Sequence, residues 1–549
     1  MKNKIAISLI VLVITIIIMA ILAATVVITL SNTNIISKAN RTVSDSNVAQ
    51  MKELASITKA NYMLENGGNA SGCGEKVKKA IEDSMNLNEE QLTKQGIYIT
   101  YDGDVLDLRE EEAQATYYYS TLYNAVNAVN NSDSTALVSD SGVSLDNANV
   151  SVSKGITGKY TVKVLHDLEI TNASENLIVT KSMTIDLNDK NVLFNTGTAG
   201  IKIRINNENA DVIVKGREKG TLKLIYEGSD SNGAVILINK CNSFTMVGGE
   251  YEAQVAGQVG TIFLNPANTG KVGIYNAKIS GISTSNTASV DQMWLRTAIR
   301  IQGTGDTTVE NCKVSFAGKN EAKGIIVINE GKVTLNNNTV LASAAYADAN
   351  MYSDTQTCAI ALFSSGDNME VYGGFYSGEL MAASIRGNNT KINGATFESC
   401  DHGMYFSSEK TTVKNSNFIF KNWSELECAK LTFPESVIAG GKKTQYSEKN
   451  KDYANQAVFY IGTPDNESTV YMDNCKIIGA KGVLSANYEH LNTYLYVSNT
   501  NFVNGLRIDK NATTGYMGRV YMGKGATCPS DQITGDGVYD TTTYANTTF

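Results

Sequence analysis

The sequence predicts a mainly β protein, a parallel β-helix solenoid, preceded by one long N-terminal α-helix. Three observations lead to this fold class: an uncharged apolar run near the N-terminus, a composition of 46 Gly and only 4 Pro in 549 residues, and a short motif that recurs through most of the chain. Abundant Gly, Asn, Thr and Ser are typical of short strands joined by turns. A chain of this length is too long to fold around a single globular core, whereas a solenoid can extend its core along one axis.

The first element is an apolar helix that is long enough to cross a membrane. Residues 6–30 contain no charged side chain, and as a helix they extend about 38 Å, against about 30 Å of hydrocarbon. A secretory signal has a shorter apolar run, and its cleavage site follows two small residues separated by one residue. Ala24 does not complete such a site, because the residue two positions before it is the large Leu22. Because Lys2 and Lys4 precede the run, we expect a cytoplasmic N-terminus and an extracellular bulk.

The helical pattern continues beyond the apolar run. Apolar residues at roughly helical spacing extend to Leu64, and the first helix breakers are Gly67 and Gly68. We therefore assign residues 1–65 to one long helix with a short leader.

The stretch AISLIVLVITIIIMAILAATVVITLSN resembles the N-terminal segment of type IV pilins and pseudopilins, especially those of clostridia-like Gram-positive bacteria. The resemblance implies that a prepilin peptidase cuts between Ala6 and Ile7, and that copies of the helix associate in a filament built by pilus or type II secretion-like machinery. Most pilins have Glu at the fifth mature position, where this chain has Val11. Filament assembly and a plain, uncleaved membrane tether therefore remain alternatives.

Residues 66–115 are predicted to form a small α+β adaptor. The segment GEKVKKAIEDSMNLNEEQL has the pattern of one amphipathic helix, and GIYITYDGDVLDL has that of two strands joined by a turn at Asp102 and Gly103. A capping helix with Leu122, Val126 and Val129 on one face begins the next domain.

The body of the chain, residues 116–508, repeats one motif: an apolar residue, any residue, then Asn, Gly or Asp, any two residues, and an apolar residue. Its central residues are Asp189, Gly248, Asn276, Asn311, Asn337, Gly373, Gly394, Asn415, Asn474 and Asn499, with Gly216 as an imperfect member. Asn, Gly and Asp enter the left-handed backbone conformation at least cost, so each predicts a one-residue bend between two strands. Such bends at intervals near 25 residues predict the coils of a parallel β-helix, with Asn side chains stacked between coils.

The motif and the opening segment YTVKVLHDLEI resemble the right-handed β-helix of pectate-lyase-like proteins and the first coils of β-helical surface proteins from Gram-positive bacteria. Within this domain, residues 422–456 are charged and too long for a tight turn, so we expect a loop insertion there. Residues 509–549 are predicted to cap the last coil.

Many β-helices of this type cleave polysaccharides, which requires catalytic acids. The resemblance to pectate lyases would imply an Arg-x-Pro-x-x-Arg segment, which the four prolines do not form. The candidates are Asp401 and His402, in the segment DHGMYF. Glycoside hydrolysis needs two carboxylates, and Asp401 has no identifiable companion, so we favour a turn before a buried strand that begins at Gly403.

Composition excludes other classes of function. The net charge is −8 and basic residues form no long run, so a nucleic-acid partner is excluded. The 8 Cys and 3 His have no metal-binding spacing, and neither a metal nor a cofactor is predicted.

Together these features predict a single-pass protein of the cell membrane, or a subunit of a surface filament, with its β-helix outside. Its expected role is adhesion or the binding of polysaccharide or another surface. Its expected partners are the membrane, the prepilin peptidase, the secretion machinery and further copies of itself. The alternative is a membrane-tethered polysaccharide lyase or glycoside hydrolase of the β-helix type, and the question of enzymatic activity stays open.

Overall fold

The structure, a computed structural model, describes residues 35–198, 200–226, 233–255, 260–284, 296–318, 322–344, 359–400, 403–433, 457–462, 467–484 and 492–549. The chain divides into two compact units, residues 1–110 and residues 111–549. The second unit is mainly β, with long parallel sheets, and a helix precedes it in the chain.

The first unit is a small α+β domain. It contains helices α1 (Ile35–Glu65), α2 (Cys73–Met85) and α3 (Glu89–Lys94), followed by the antiparallel strands β1 (Ile97–Ile99) and β2 (Val105–Asp107). Its buried core takes residues from all of these elements except β2: Val48, Met51, Ala55, Cys73, Val77, Ile81, Leu92, Ile97 and Ile99. Helix α1 therefore buries one face within this unit.

The adaptor contains two helices where the sequence predicts one. Asn86 ends α2 in the left-handed conformation, with φ of 55°. Asn88 then begins α3 with a reciprocal capping box, in which its side chain accepts from the Gln91 amide and the Gln91 side chain accepts from the Asn88 amide, both at 2.9 Å. Asn is favoured at both kinds of helix end, and these local signals outweigh the continuous amphipathic pattern.

The second unit begins with an N-terminal cap. Strand β3 (Ala113–Tyr119) pairs antiparallel with β4 (Val150–Gly155), which pairs antiparallel with β5 (Tyr160–Val164). Helix α4 (Leu122–Asn130) packs its apolar face against the core of this unit. The buried residues of that face are Leu122, Ala125, Val126 and Val129.

The remaining strands of the described residues form the coils. They are β6 (Leu168–Ile170), β7 (Leu177–Val179), β8 (Met183–Asp186), β9 (Asn191–Phe194), β10 (Gly200–Asn206), β11 (Asp211–Ile225), β12 (Gly233–Lys240), β13 (Ser243–Val255), β14 (Gly260–Leu264), β15 (Lys271–Tyr275), β16 (Lys278–Ser283), β17 (Thr297–Gly303), β18 (Thr307–Glu310), β19 (Lys313–Gly318), β20 (Ala322–Asn329), β21 (Val333–Asn336), β22 (Thr339–Ala344), β23 (Ala359–Ser364), β24 (Met369–Tyr372), β25 (Phe375–Gly378), β26 (Met381–Ile385), β27 (Thr390–Asn393), β28 (Thr396–Ser399), β29 (Gly403–Phe406), β30 (Thr411–Lys414), β31 (Asn417–Phe420), β32 (Phe459–Ile461), β33 (Ser468–Asp473), β34 (Lys476–Ile478), β35 (Gly482–Leu484), β36 (Thr493–Ser498), β37 (Leu506–Ile508), β38 (Gly518–Met522), β39 (Ile533–Thr534) and β40 (Val538–Asp540).

Each typical coil contributes one strand to each of three parallel sheets. The first sheet has 13 strands: β7, β10, β12, β14, β17, β20, β23, β26, β29, β32, β35, β37 and β39. The second sheet continues from β5 through β8, β15, β18, β21, β24, β27, β30, β33, β36, β38 and β40, and the third through β6, β9, β16, β19, β22, β25, β28, β31 and β34. Strands β11 and β13 pass the corner without interruption and pair in both of these sheets. At about 4.8 Å per strand, the first sheet is about 58 Å long.

The interior is filled by side chains that occupy the same position in successive coils. In the first sheet, one such row pairs Ile236, Ile262, Ile299, Ile325 and Leu362 in register. All five side chains are fully buried. Because each coil covers the apolar face of its neighbour, the core is continuous along the stack.

The bends predicted from the motif are confirmed. All ten central residues have a positive φ, between 48° and 74°. At the imperfect member the positive φ of 55° belongs to Arg217 rather than Gly216, because β11 carries extra residues there and its register with β13 shifts on both sides of Arg217. Asn side chains join some neighbouring corners: Asn337 Nδ2 donates to Asn311 Oδ1 at 2.9 Å, and Asn474 Nδ2 to Asn415 Oδ1 at 2.7 Å.

The corner at Asn337 offers a test of this geometry. We expect Asn337→Ala to lower the free energy of unfolding by about 1–2 kcal/mol, because alanine resists the left-handed conformation and also removes the hydrogen bond. Asn337→Gly loses only the hydrogen bond and is expected to cost less. Urea unfolding of both variants measures the difference, and a larger loss for the glycine variant would contradict this account.

One corner contains an ion pair between a buried carboxylate and an exposed guanidinium. Asp186, fully buried on β8, accepts hydrogen bonds from Arg217 Nε and Nη2 at 3.0 and 2.6 Å, and from the Asn188 amide at 2.8 Å. Burial alone would raise the pKa of Asp186, but the hydrogen bonds and charge of Arg217 outweigh burial and lower this pKa below its usual range. The ion pair therefore stabilises the fold while Asp186 is ionised.

This lowered pKa predicts a pH-dependent stability. The contribution of Asp186 is present above about pH 4 and is lost as the pH falls through the lower pKa of the folded state. We expect Arg217→Ala to cost about 2 kcal/mol at pH 7, less than the about 3–5 kcal/mol of a fully buried pair because the Arg217 side chain is 37% exposed, and to cost less again at pH 3. Urea unfolding at both pH values measures this. The exposed Arg204 supplies the control, since Arg204→Ala is expected to change little at either pH.

Candidate functional site

The predicted processing site lies outside the described residues. This holds for Ala6, Ile7 and Val11, and for the apolar run 6–30. Within the part of the chain that the structure describes, no helix has the length and apolar character needed to span a membrane. Cleavage and anchoring therefore stay predictions.

The predicted catalytic candidates Asp401 and His402 also lie outside the described residues. Their described neighbours are Cys400, which is buried after β28, and Gly403, which begins β29 with φ of 63°. Strand β29 is largely buried, as expected. The acids of the described residues that lie near Cys400 are Glu379 and Glu398.

Two buried glutamates lie on neighbouring coils in this region of the third sheet. Glu398 is in β28, and Glu379 directly follows β25, the neighbouring strand. Their exposed fractions are 1% and 0%. A segment that we call the covering segment, residues 421–433, contacts both acids and contains two short 3₁₀ turns, Trp423–Glu425 and Cys428–Lys430.

Both carboxylate oxygens of Glu398 accept hydrogen bonds from protein groups. Oε1 accepts from the Ser377 hydroxyl at 3.0 Å and from the Glu427 amide at 2.7 Å, and Oε2 accepts from Lys421 Nζ at 2.5 Å. Two of these three donors belong to the covering segment. Glu398 therefore attaches this segment to the sheet.

Glu379 is bound in the same way. Its Oε1 accepts from Trp423 Nε1 at 3.0 Å and from the Ser343 hydroxyl, and its Oε2 accepts from the Ala344 amide at 3.0 Å. Trp423 belongs to the covering segment, while Ser343 and Ala344 end β22. The acid thus links two strands of the third sheet to the segment above them.

This arrangement suits attachment better than catalysis. A glycoside hydrolase needs one acid to protonate the leaving group and a second to act as base or nucleophile, and both must reach the substrate. Glu379 and Glu398 are buried, and each carboxylate already accepts three hydrogen bonds from the protein. As built, the pair holds the covering segment in place.

No motif identified this acid pair in the sequence, although the corners contain a signal. Ser377 lies four residues after the corner Gly373, and Glu398 lies four residues after the corner Gly394. Equal offsets from successive corners place two residues next to each other, and the structure pairs these two in register. Counting residues from each corner could therefore have predicted that Ser377 and Glu398 are neighbours.

A second candidate is a row of tyrosines on the outer face of the second sheet. The rings of Tyr471, Tyr496 and Tyr521 stack with centroid distances of 5.0 and 4.9 Å. The C-terminal residues Tyr544 and Phe549 contact the Tyr496 ring at steep angles, with centroids 5.7 and 5.4 Å away. Sugars bind the faces of aromatic rings, but the faces within this row contact one another. The row therefore serves to hold the C-terminal segment.

Helix α1 carries an exposed apolar row. Val43, Ile57 and Leu64 are 61%, 53% and 84% exposed, and their spacing of 14 and 7 residues places them along one line of the helix. The line is about 32 Å long. We call these three residues the exposed row of α1.

Within the described residues no group of three or more His, Cys, Asp or Glu could hold a metal ion. Comparison with known proteins finds no matching protein-family model, curated protein or solved structure.

Proposed function

We propose that this chain is a pilin-like protein of the cell surface. Its N-terminal helix anchors it in the membrane or joins a filament, and its β-helix is displayed outside for adhesion to polysaccharide or another surface. The observation that carries the proposal is the exposed row of α1, which follows an uncharged apolar run in the sequence.

The exposed row supports self-association. Single apolar residues on a surface are ordinary, but apolar residues separated by multiples of seven are typical of a helix face that packs against another helix. The intervening position of this series, Gln50, is polar. The opposite face of α1 is occupied by the core of its own unit through Val48, Met51 and Ala55. The partner that matches a long apolar line on a helix is the same line of a second copy.

The acid pair supports display rather than cleavage. The alternative, a membrane-tethered polysaccharide lyase or glycoside hydrolase, requires accessible paired acids, whereas Glu379 and Glu398 are buried and bound to protein groups. This favours a function by contact.

Three measurements test the proposal. Sequencing the N-terminus of protein recovered from cells distinguishes a start at Ile7, which supports pilin-type processing, from an intact Met1, which supports a plain tether. Glycan-array binding without release of reducing ends supports display, and release of reducing ends would favour the enzyme.

The third measurement addresses the exposed row. The variant Ile57→Cys is expected to form disulfide-linked dimers under mild oxidation in membranes, because the row of one copy faces that of another. The matched control is Lys52→Cys, since Lys52 is also exposed on α1 but lies about 140° away around the helix. Equal cross-linking of both variants, or none of the first, would contradict self-association through this row.

A further inference from the structure

We propose that Cys400 and Cys428 form a disulfide bond that locks the covering segment onto the third sheet. Cys400 follows β28, and Cys428 begins the second 3₁₀ turn of the covering segment. Both are thiols in the structure. The inference goes beyond the proposed function, because it concerns how the covering segment is held.

The two cysteines share one small apolar environment. They are 2% and 0% exposed, and together with Leu426 they form a buried cluster separate from the main core of the coils. Leu341, Trp423 and Ala429 pack around this cluster. Two segments far apart in sequence thus bring their thiols to one place.

Both cysteines are also bound to the same stretch of backbone. The Cys428 amide donates to Ser377 Oγ at 3.1 Å, while the Cys400 amide and Sγ donate to the Glu379 carbonyl at 3.3 and 3.0 Å. Ser377 and Glu379 are two residues apart, which corresponds to about 7 Å along a strand. The two cysteines are thus anchored to neighbouring points of one stretch of backbone, and a disulfide requires their Cα atoms to come within about 4.4–6.8 Å of each other.

Other cysteines in the described residues have a different role. Cys312 and Cys475 each follow a corner Asn and are buried in the main core. Their Sγ atoms donate to carbonyls of their own corners, those of Glu310 and Asp473. Burial raises the pKa of both thiols to about 12. They are packing residues in separate coils.

The chemistry is a thiol–disulfide exchange with a small disulfide oxidant such as oxidised glutathione. One cysteine thiolate attacks the oxidant and releases one glutathione thiol, and the second cysteine thiolate then attacks the mixed disulfide and releases the other. The two cysteine protons pass through solvent to the two released glutathione sulfurs, and the two electrons go to the oxidant. Cys400 loses its S–H donor, while the hydrogen bond from the Cys400 amide to the Glu379 carbonyl remains.

The bond would change what holds the covering segment. In the thiol form, polar contacts to Glu379 and Glu398 hold it. The disulfide adds a covalent link that closes the chain from residue 400 to residue 428, so that the segment can no longer open by itself. Such bonds persist in oxidising extracellular surroundings.

The test uses the full chain in detergent. One sample is oxidised in the folded state with oxidised glutathione, and a second is refolded in a glutathione redox buffer, so that access to buried thiols does not decide the result. After unfolding and alkylation, peptide mapping by mass spectrometry is expected to find a linked Cys400–Cys428 peptide. Proteolysis within the covering segment is expected to slow at least about tenfold on oxidation.

The variants Cys428→Ser and Cys312→Ser separate the outcomes. Cys428→Ser should abolish both the linked peptide and the slower proteolysis, whereas Cys312→Ser should leave both unchanged. Alkylation of Cys400 and Cys428 in both oxidised samples, or a link from either one to another cysteine, would overturn the proposal.

Discussion

Replacing Phe418 with alanine is expected to lower the free energy of unfolding of the β-helix by about 3–5 kcal/mol. Phe418 is fully buried in β31. Its ring stacks on Phe397 of the preceding coil, with centroids 5.8 Å apart, and contacts Phe459 edge-on at 6.1 Å. Phe397 in turn stacks on Tyr376 at 5.2 Å. The substitution opens a cavity in the middle of this column.

The loss should extend beyond one coil, since the coils of a solenoid are stabilised by their neighbours. Urea unfolding followed by circular dichroism measures it. The matched control is Phe375→Ala, because Phe375 is a partly exposed phenylalanine on β25 and its loss is expected to cost about 1 kcal/mol or less. Equal losses for the two variants would contradict a close-packed aromatic column.

Replacing Lys421 with alanine is expected to cost about 2 kcal/mol and to loosen the covering segment. Lys421 Nζ lies 2.5 Å from Glu398 Oε2, and the Glu398 side chain is 1% exposed. Removing the cation leaves a buried carboxylate with neutral donors only, which costs about 3–5 kcal/mol for a fully buried pair. We expect less here because the Lys421 side chain is 35% exposed. Urea unfolding and limited proteolysis measure the two effects.

The same segment contains a control for charge alone. Lys430 pairs with Glu427 at 2.6 Å, but the two side chains are 66% and 45% exposed. An exposed pair of this kind contributes about 0–1 kcal/mol, so Lys430→Ala should hardly change stability or proteolysis. If both lysine variants behave alike, Glu398 does not anchor the covering segment.

The coils could be predicted from the sequence because their corners are a local property. The backbone preference of Asn, Gly and Asp does not depend on distant contacts, and all ten predicted bends have the expected φ. The prediction of one helix in the adaptor was wrong, because two local signals compete there. The apolar pattern predicts a continuous helix, but Asn86 ends one helix and Asn88 begins another. At Gly216 the motif was present, but extra residues moved the bend to Arg217.

The acid pair could not be predicted in the same way. Glu379 and Glu398 face outward, where a strand of a β-helix ordinarily carries polar residues exposed to water, so their pattern looks like any solvated face. Their burial depends on the covering segment, whose position follows from contacts across more than 20 residues of sequence. Only counting from the corners could have indicated that Ser377 and Glu398 are neighbours.

The constant corner between the second and third sheets has an evolutionary consequence. In seven successive coils, from β15–β16 to β33–β34, two residues separate the strands. The connection from the third sheet to the first spans only residues 379–380 in one coil and residues 421–458 in another. An added residue at the corner would turn interior side chains outward, whereas added residues at the variable edge leave the strands in register. Insertions and deletions, or peptide epitopes grafted by design, should therefore be tolerated at one edge of every coil and rejected at another.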